Sequence, residues 1–166
     1  MNIQTLKDAL LMGLKNEMDS VTVYSEAAER SSGDVAAFFK ERVEEEKRHY
    51  NWLLEYHKKV LGGTIPNYNL AAEVFGLETK SPLITKDFIK RLAENQYLVT
   101  AITTATLMEA TAITFYRSAT ESAATEELAS FFTTLMKWEE KHYTELLAIQ
   151  DDLTQVWFDK QNFEPF

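Results

Sequence analysis

The sequence contains no cysteine. That absence excludes a disulfide framework, a cysteine zinc site, a thiol nucleophile and a thiolate-held iron–sulfur cluster. Glycine and proline are scarce, five and three among 166 residues, and neither occurs between Pro82 and Pro165. Long helices are therefore permitted over that stretch. No Gly-x-Gly-x-x-Gly and no phosphate-binding loop is present, so no organic cofactor motif is visible. Lys and Arg form no cluster and the formal net charge is −9. A nucleic-acid partner is not expected; cations are the more natural guests, although most of the charge reads as solvated surface. No apolar run approaches the length that spans a bilayer, so no membrane partner is expected. The stretch from Met1 to Asp8 lacks the basic region and long apolar segment of a signal peptide, which makes a cytoplasmic location the expectation.

What is present is a chain long enough for one domain with a real core, 45% hydrophobic, with apolar residues at helical spacing in four segments. The expected fold is an all-α four-helix bundle made of two helical hairpins. Hairpin 1 spans about 3–61, a long crossover about 62–84, hairpin 2 about 86–152, and a tail 153–166. The first helix carries Leu6, Leu10, Leu14, Glu17, Val21, Tyr24 and Ala28 on one stripe. A turn at Ser31-Ser32-Gly33-Asp34 follows, with Asp34 the expected N-cap of the second helix. That helix carries Phe39, Val43, Glu46, His49, Leu53 and Tyr56 and stops at Gly62-Gly63. The crossover holds Pro66, Gly76 and Pro82, with room for a short helix around Leu70 to Phe75.

A single helical stretch is expected from about Lys86 to Thr120, with Leu98, Ile102, Ala105, Glu109, Ala112 and Tyr116 on its stripe. The β-branched piece Tyr97 to Thr104 resembles a strand, but its 3–4 spacing runs on for several turns. Thr125 caps the last helix, with Glu126 and Glu127 favourable to its dipole. Leu128, Phe131, Leu135, Glu139, His142, Leu146 and Ile149 form its stripe. The tail contains Trp157, Phe158, Phe163 and Phe166 and is expected to pack on the bundle or on another subunit.

The two halves repeat. Glu17 and Tyr24 correspond to Glu109 and Tyr116 at an offset of 92. Phe38-Phe39, Glu46, His49 and Leu53-Leu54 correspond to Phe131-Phe132, Glu139, His142 and Leu146-Leu147 at an offset of 93. Duplication of a helical hairpin accounts for this. In each hairpin the lone Glu and the Glu-x-x-His lie similar distances from the turn, roughly 22 Å at ~1.5 Å per residue, and so sit level with each other. Two hairpins related by a pseudo-twofold then bring Glu17, Glu46, Glu109 and Glu139 to one central layer, with His49 and His142 beside them.

Buried carboxylates facing one another are costly, since burial and like charge both oppose ionisation. Two divalent cations balance four carboxylates. Residues at i and i+3 share a helix face, so each Glu-x-x-His can meet one ion. Glu from two helices plus Glu-x-x-His from two others is the ligand pattern of di-iron carboxylate bundles. Glu44, Glu45 and Glu140 read as solvated neighbours, His57 as a surface or packing residue, and the Phe pairs as core near the hairpin tips. Arg42, one turn before Glu46, is placed to pair with a carboxylate.

The whole pattern resembles the ferritin-like superfamily, and most closely its rubrerythrin branch, over nearly the whole chain. The resemblance implies two iron ions, with manganese or zinc as alternatives. It makes Glu46 and Glu139 bridging ligands, Glu17 and Glu109 terminal ones, and His49 and His142 ligands to one ion each. Tyr24 and Tyr116 match tyrosines that rubrerythrins place near the ligands, where a phenol can bond a carboxylate; a core-packing role fits them equally well. The chain departs from the family in lacking a rubredoxin domain, so an external electron donor, such as a rubredoxin-like protein, is implied. It also has Ala112 where many rubrerythrins carry a further Glu. The leading expectation is an oxidoreductase that reduces hydrogen peroxide or dioxygen, working as a homodimer. A ferroxidase or iron-storage protein and a non-catalytic, metal-stabilised binding module are the alternatives.

Overall fold

The computed structural model describes residues 6–62 and 81–161. They form five helices: α1 (Leu6–Glu29), α2 (Gly33–Leu61), α3 (Lys86–Ala93), α4 (Gln96–Glu121) and α5 (Glu126–Gln161). The short helix expected near Leu70 to Phe75 lies outside the described residues, as do Phe163 and Phe166. The long helices pair as hairpins, α1 with α2 and α4 with α5, and the hairpins meet mainly through α1 and α4.

Side-chain size sets this geometry. α1 buries Ala9, Gly13, Ser20, Ala27 and Ala28, and α4 buries Ala101, Ala105, Ala112 and Ala119, which lets backbones approach closely. α2 buries Phe38, Phe39, Arg42 and Tyr56, and α5 buries Phe131, Phe132 and Trp138. Among the described residues no Cα of α2 comes within 8 Å of one in α5. The bundle is thus tight on one side and held apart by large side chains on the other.

Several boundaries differ from the sequence reading. The expected stretch from Lys86 to Thr120 is two helices, because Asn95 adopts an extended backbone and its side chain accepts from the Tyr97 amide at 3.0 Å. This restarts the helix as an N-cap. Thr85 caps α3 in the same way, accepting from the Phe88 amide at 3.1 Å. Asp34 is not the N-cap of α2: that position is Ser32, and Gly33 takes the turn with a φ of +61°, where only glycine is unstrained. Asp34 lies in the first turn and pairs with Arg91 of α3. The last helix runs past residue 152 to Gln161, with Leu153 buried and Trp157 exposed.

The expectation that no apolar run reaches membrane-spanning length is also corrected. α4 is long and apolar enough by composition, but it carries the buried Glu109 and much of its surface packs inside the bundle. Tyr97 to Thr104 is helical as expected, and the hydroxyls of Thr100 and Thr103 are satisfied by the carbonyls of Gln96 and Val99, four residues back. Thr125 caps α5 by accepting from the Leu128 amide at 3.2 Å.

The core falls into two clusters. One holds Tyr24, Phe38, Phe39, Ile102, Leu146 and Ile149, closed at its end by Phe88, Ile89 and Leu92 of α3. The other holds Leu10, Leu53, Tyr56, Tyr116, Phe131, Phe132 and Trp138. Both Phe pairs are buried core, as their spacing indicated. Between the clusters lies a layer of buried charge.

Candidate metal centre

Glu17 of α1, Glu46 and His49 of α2, Glu109 of α4, and Glu139 and His142 of α5 are each at most 7% exposed. The four long helices deliver them to one level, where they form two groups. Glu17, His49 and Glu139 offer ligand atoms within 4.8 Å of one another, and so do Glu46, Glu109 and His142. All six residues singled out from the sequence are therefore brought together.

The histidines aim the same atom inward. His49 Nδ1 lies 3.5 Å from Glu17 Oε2 and 3.3 Å from Glu46 Oε2. His142 Nδ1 lies 3.0 Å from Glu46 Oε1 and 3.8 Å from both Glu109 Oε1 and Glu139 Oε2. Glu46 thus turns one oxygen to each histidine. Glu139 belongs to the His49 group and also faces His142.

Do these groups fit a metal pair? Both oxygens of Glu46, Oε1 of Glu139 and Nδ1 of each histidine are buried without a hydrogen-bond partner among the described residues. Buried polar atoms are rarely left so, and each one costs about 1–3 kcal/mol. Five such atoms converging on one layer suit two cations, which would take up all of them. Oxygen and imidazole nitrogen donors suit iron, manganese or zinc.

The electrostatics of the site agree. Burial pushes the Glu17 carboxyl up to about 7, against the pull of His49. Burial, reinforced by the charges of Glu17, Glu109 and Glu46, holds Glu139 well above the usual carboxylate range. Burial raises Glu109 as well. Burial would lower both imidazoles, but the facing carboxylates outweigh it and raise His49 to about 9 and His142 to about 10. Burial opposes ionisation of Glu46 too, yet the two imidazoles hold it well below its ordinary value. Groups raised in this way hold protons that cation binding would displace.

The tyrosines act crosswise. The Tyr24 phenol donates to Glu109 Oε1 at 3.0 Å, and the Tyr116 phenol donates to Glu17 Oε1 at 3.2 Å. Burial and the adjacent carboxylates hold both phenols well above their ordinary value, so they stay protonated donors. Gly13 makes room for this: a Cβ there would sit 2.9 Å from the Tyr116 hydroxyl.

Three residues near the site carry more than the sequence assigned to them. Glu45 is not a solvated neighbour. It is half-buried, its Oε2 lies 3.2 Å from His142 Nε2, and the same oxygen meets Arg42 Nη1 at 2.7 Å. Burial alone would raise its carboxyl, but His142 and Arg42 bring it down to about 2. Arg42 does pair with carboxylates, reaching Glu145 at 3.3 Å as well. Trp138 stacks on His49 with ring centroids 4.3 Å apart and planes 11° apart, and Trp52 lies 5.1 Å beyond it. The partners of Glu45 and Trp138 lie on the other hairpin, so no local spacing reveals them. Glu44 and Glu140 face Lys47 and Arg117 at the surface, and His57 is half-buried.

The family model described as Rubrerythrin matches residues 8–150, which includes both hairpins and all six buried groups. Neither a curated protein nor a solved structure matches. With that match spanning most of its length, the chain belongs to the rubrerythrin family.

Proposed function

We propose that this chain is a di-iron oxidoreductase that reduces hydrogen peroxide or dioxygen with electrons from a separate donor. The observation that carries the reading is the set of unpartnered ligand atoms on Glu46, Glu139, His49 and His142, enclosed between two apolar clusters. Glu17, Glu139 and His49 would hold one ion, Glu109, Glu46 and His142 the other, with Glu46 and Glu139 shared. Two irons held there would supply two electrons together, which matches reductive cleavage of an O–O bond.

The chain's own groups prepare that chemistry. Tyr116 fixes Glu17 Oε1 and leaves Oε2 to face His49, while Tyr24 steadies the Glu109 oxygen that also faces His142. Apolar side chains at both ends keep bulk water from the layer, which strengthens every electrostatic interaction inside it. Access is supported on the α2–α5 side, where the backbones stand apart. A pocket of about 660 Å³ opens there, lined by Arg42, Glu45, Lys141 and Glu145 among others. Glu45, one of its lining residues, touches His142.

The test is to load the protein with ferrous iron without oxygen, add hydrogen peroxide and follow oxidation optically. Fast oxidation is expected in the wild type and not in the Glu46→Ala, Glu139→Ala double variant. Equal rates in the two would end the catalytic reading.

A further inference from the structure

The repeat is faithful at all six metal-facing positions and broken around them. Position 45 in hairpin 1 corresponds to 138 in hairpin 2 at the offset of 93, and the residues there are Glu45 and Trp138. By the same offset Arg42 corresponds to Leu135, and Trp52 to Glu145. Glu45 lies beside His142 and Trp138 beside His49, each across to the other hairpin, while Arg42 adjoins Glu45, Trp52 adjoins Trp138 and Glu145 meets Arg42. The outcome is one charged surround and one aromatic surround. His142 has Glu45 3.2 Å from Nε2, with Arg42 between Glu45 and Glu145. His49 has the face of Trp138, with Trp52 behind. The carboxylates His49 meets among the described residues, Glu17 and Glu46, both face Nδ1.

This difference acts on metal binding in two ways. A carboxylate on the far nitrogen of a ligating imidazole fixes the tautomer, holds the ring and makes the near nitrogen a better donor. Glu45 Oε2, 3.2 Å from His142 Nε2, is placed to do this, whereas among the described residues the His49 ring stacks on Trp138 and meets carboxylates through Nδ1 alone. Charge acts in the same direction. Glu45, Glu145 and Arg42 together contribute one net negative charge beside the His142 group, while Trp138, Trp52 and Leu135 contribute none. Arg48 reaches Glu45 Oε1 at 3.8 Å, but it is exposed at the pocket rim, as is Lys141, and solvent screens both.

We propose that the two metal positions are unequal: the one formed by Glu46, Glu109 and His142 fills first and holds its ion more tightly, and Glu45 is the positioning residue that makes it so. The inference rests on the metal-pair reading of the site. Losing such a supporting carboxylate typically weakens metal binding about 10- to 100-fold.

The experiment is calorimetric titration of the metal-free chain with diamagnetic Zn(II), paired with ¹⁵N-histidine NMR. The wild type is expected to take up two ions in two steps about 10- to 100-fold apart. The His142 resonances should shift or broaden with the first equivalent and those of His49 with the second, His57 serving as the unaffected reference. Glu45→Gln should weaken the first step by about that factor and leave the second nearly unchanged. Trp138→Phe, which removes no charge, should keep the order. Two equal steps in the wild type, or His49 responding first, would overturn the proposal while leaving a metal-pair site intact. So would a Glu45→Gln protein whose first step is unweakened. Uptake of no ion by the wild type would overturn the proposal and the metal-pair reading together. The wild-type NMR decides the order even if Glu45→Gln does not fold.

Discussion

Tyr24 donates its hydrogen bond to Glu109, 85 residues away on α4, and not to Glu17 on its own helix. Tyr116 returns the relationship by donating to Glu17 across 99 residues. Each hairpin therefore steadies a carboxylate of the other, and the two bonds form a reciprocal clasp across the α1–α4 seam.

Removing one half of that clasp has a definite cost. Tyr24→Phe leaves the Glu109 oxygen buried without its donor, a loss of about 1–3 kcal/mol. Urea denaturation of the metal-free protein measures it, with an unchanged denaturant slope expected. An effect within a few tenths of a kcal/mol would mean that the phenol only fills space.

Gly13 and Tyr116 should be coupled. Alanine at 13 favours a helix by about 1 kcal/mol, but its Cβ meets the Tyr116 hydroxyl at 2.9 Å. Overpacking of this kind costs about 1–3 kcal/mol. Gly13→Ala is thus expected to destabilise the wild type and to be harmless or stabilising in a Tyr116→Phe background. A double-mutant cycle in denaturation free energy reads the coupling directly, and simple additivity would contradict the close approach.

The six buried groups were legible in the sequence because a charged residue on an apolar helical stripe violates the pattern around it. Repetition then gave their common level. What local pattern cannot carry is a partner from another hairpin. Tyr24 shares a stripe with Glu17, yet its phenol bonds Glu109 on α4. Glu45 sits on the flank of α2 next to a ligand position, and only α5 brings His142 to it. The break between α3 and α4 did have a local signal in Asn95, a residue type favoured at helix starts. The continuous apolar spacing on either side concealed it. The register of α5 beyond residue 152 follows from Leu153 and Val156 packing on the first cluster, a tertiary cause.

Stability of the metal-free chain should fall as pH rises. His49 and His142 are raised from 6.5 to about 9 and about 10 in the fold. A raised imidazole stabilises the folded state fully below its unfolded value and loses that contribution as pH climbs through the folded one. Glu17, raised from 4.5 to about 7, acts with the same sign in a lower window. Glu46 is depressed and acts with the opposite sign, but only below 4.5. Urea midpoints of the metal-free protein are therefore expected to drop between about pH 6.5 and pH 9. Metal affinity should move the other way and weaken in acid, because the ligands must shed those protons to bind. Midpoints that rise over the same interval would contradict the assigned partners.

The six inward-facing groups are proposed to hold two ions. Equilibrium dialysis of the metal-free chain against manganous ion, followed by elemental analysis, tests this most directly. Two ions per chain are expected in the wild type and none tightly held after Glu46→Ala with Glu139→Ala. Fewer than one ion per wild-type chain, or equal uptake by the double variant, would contradict it.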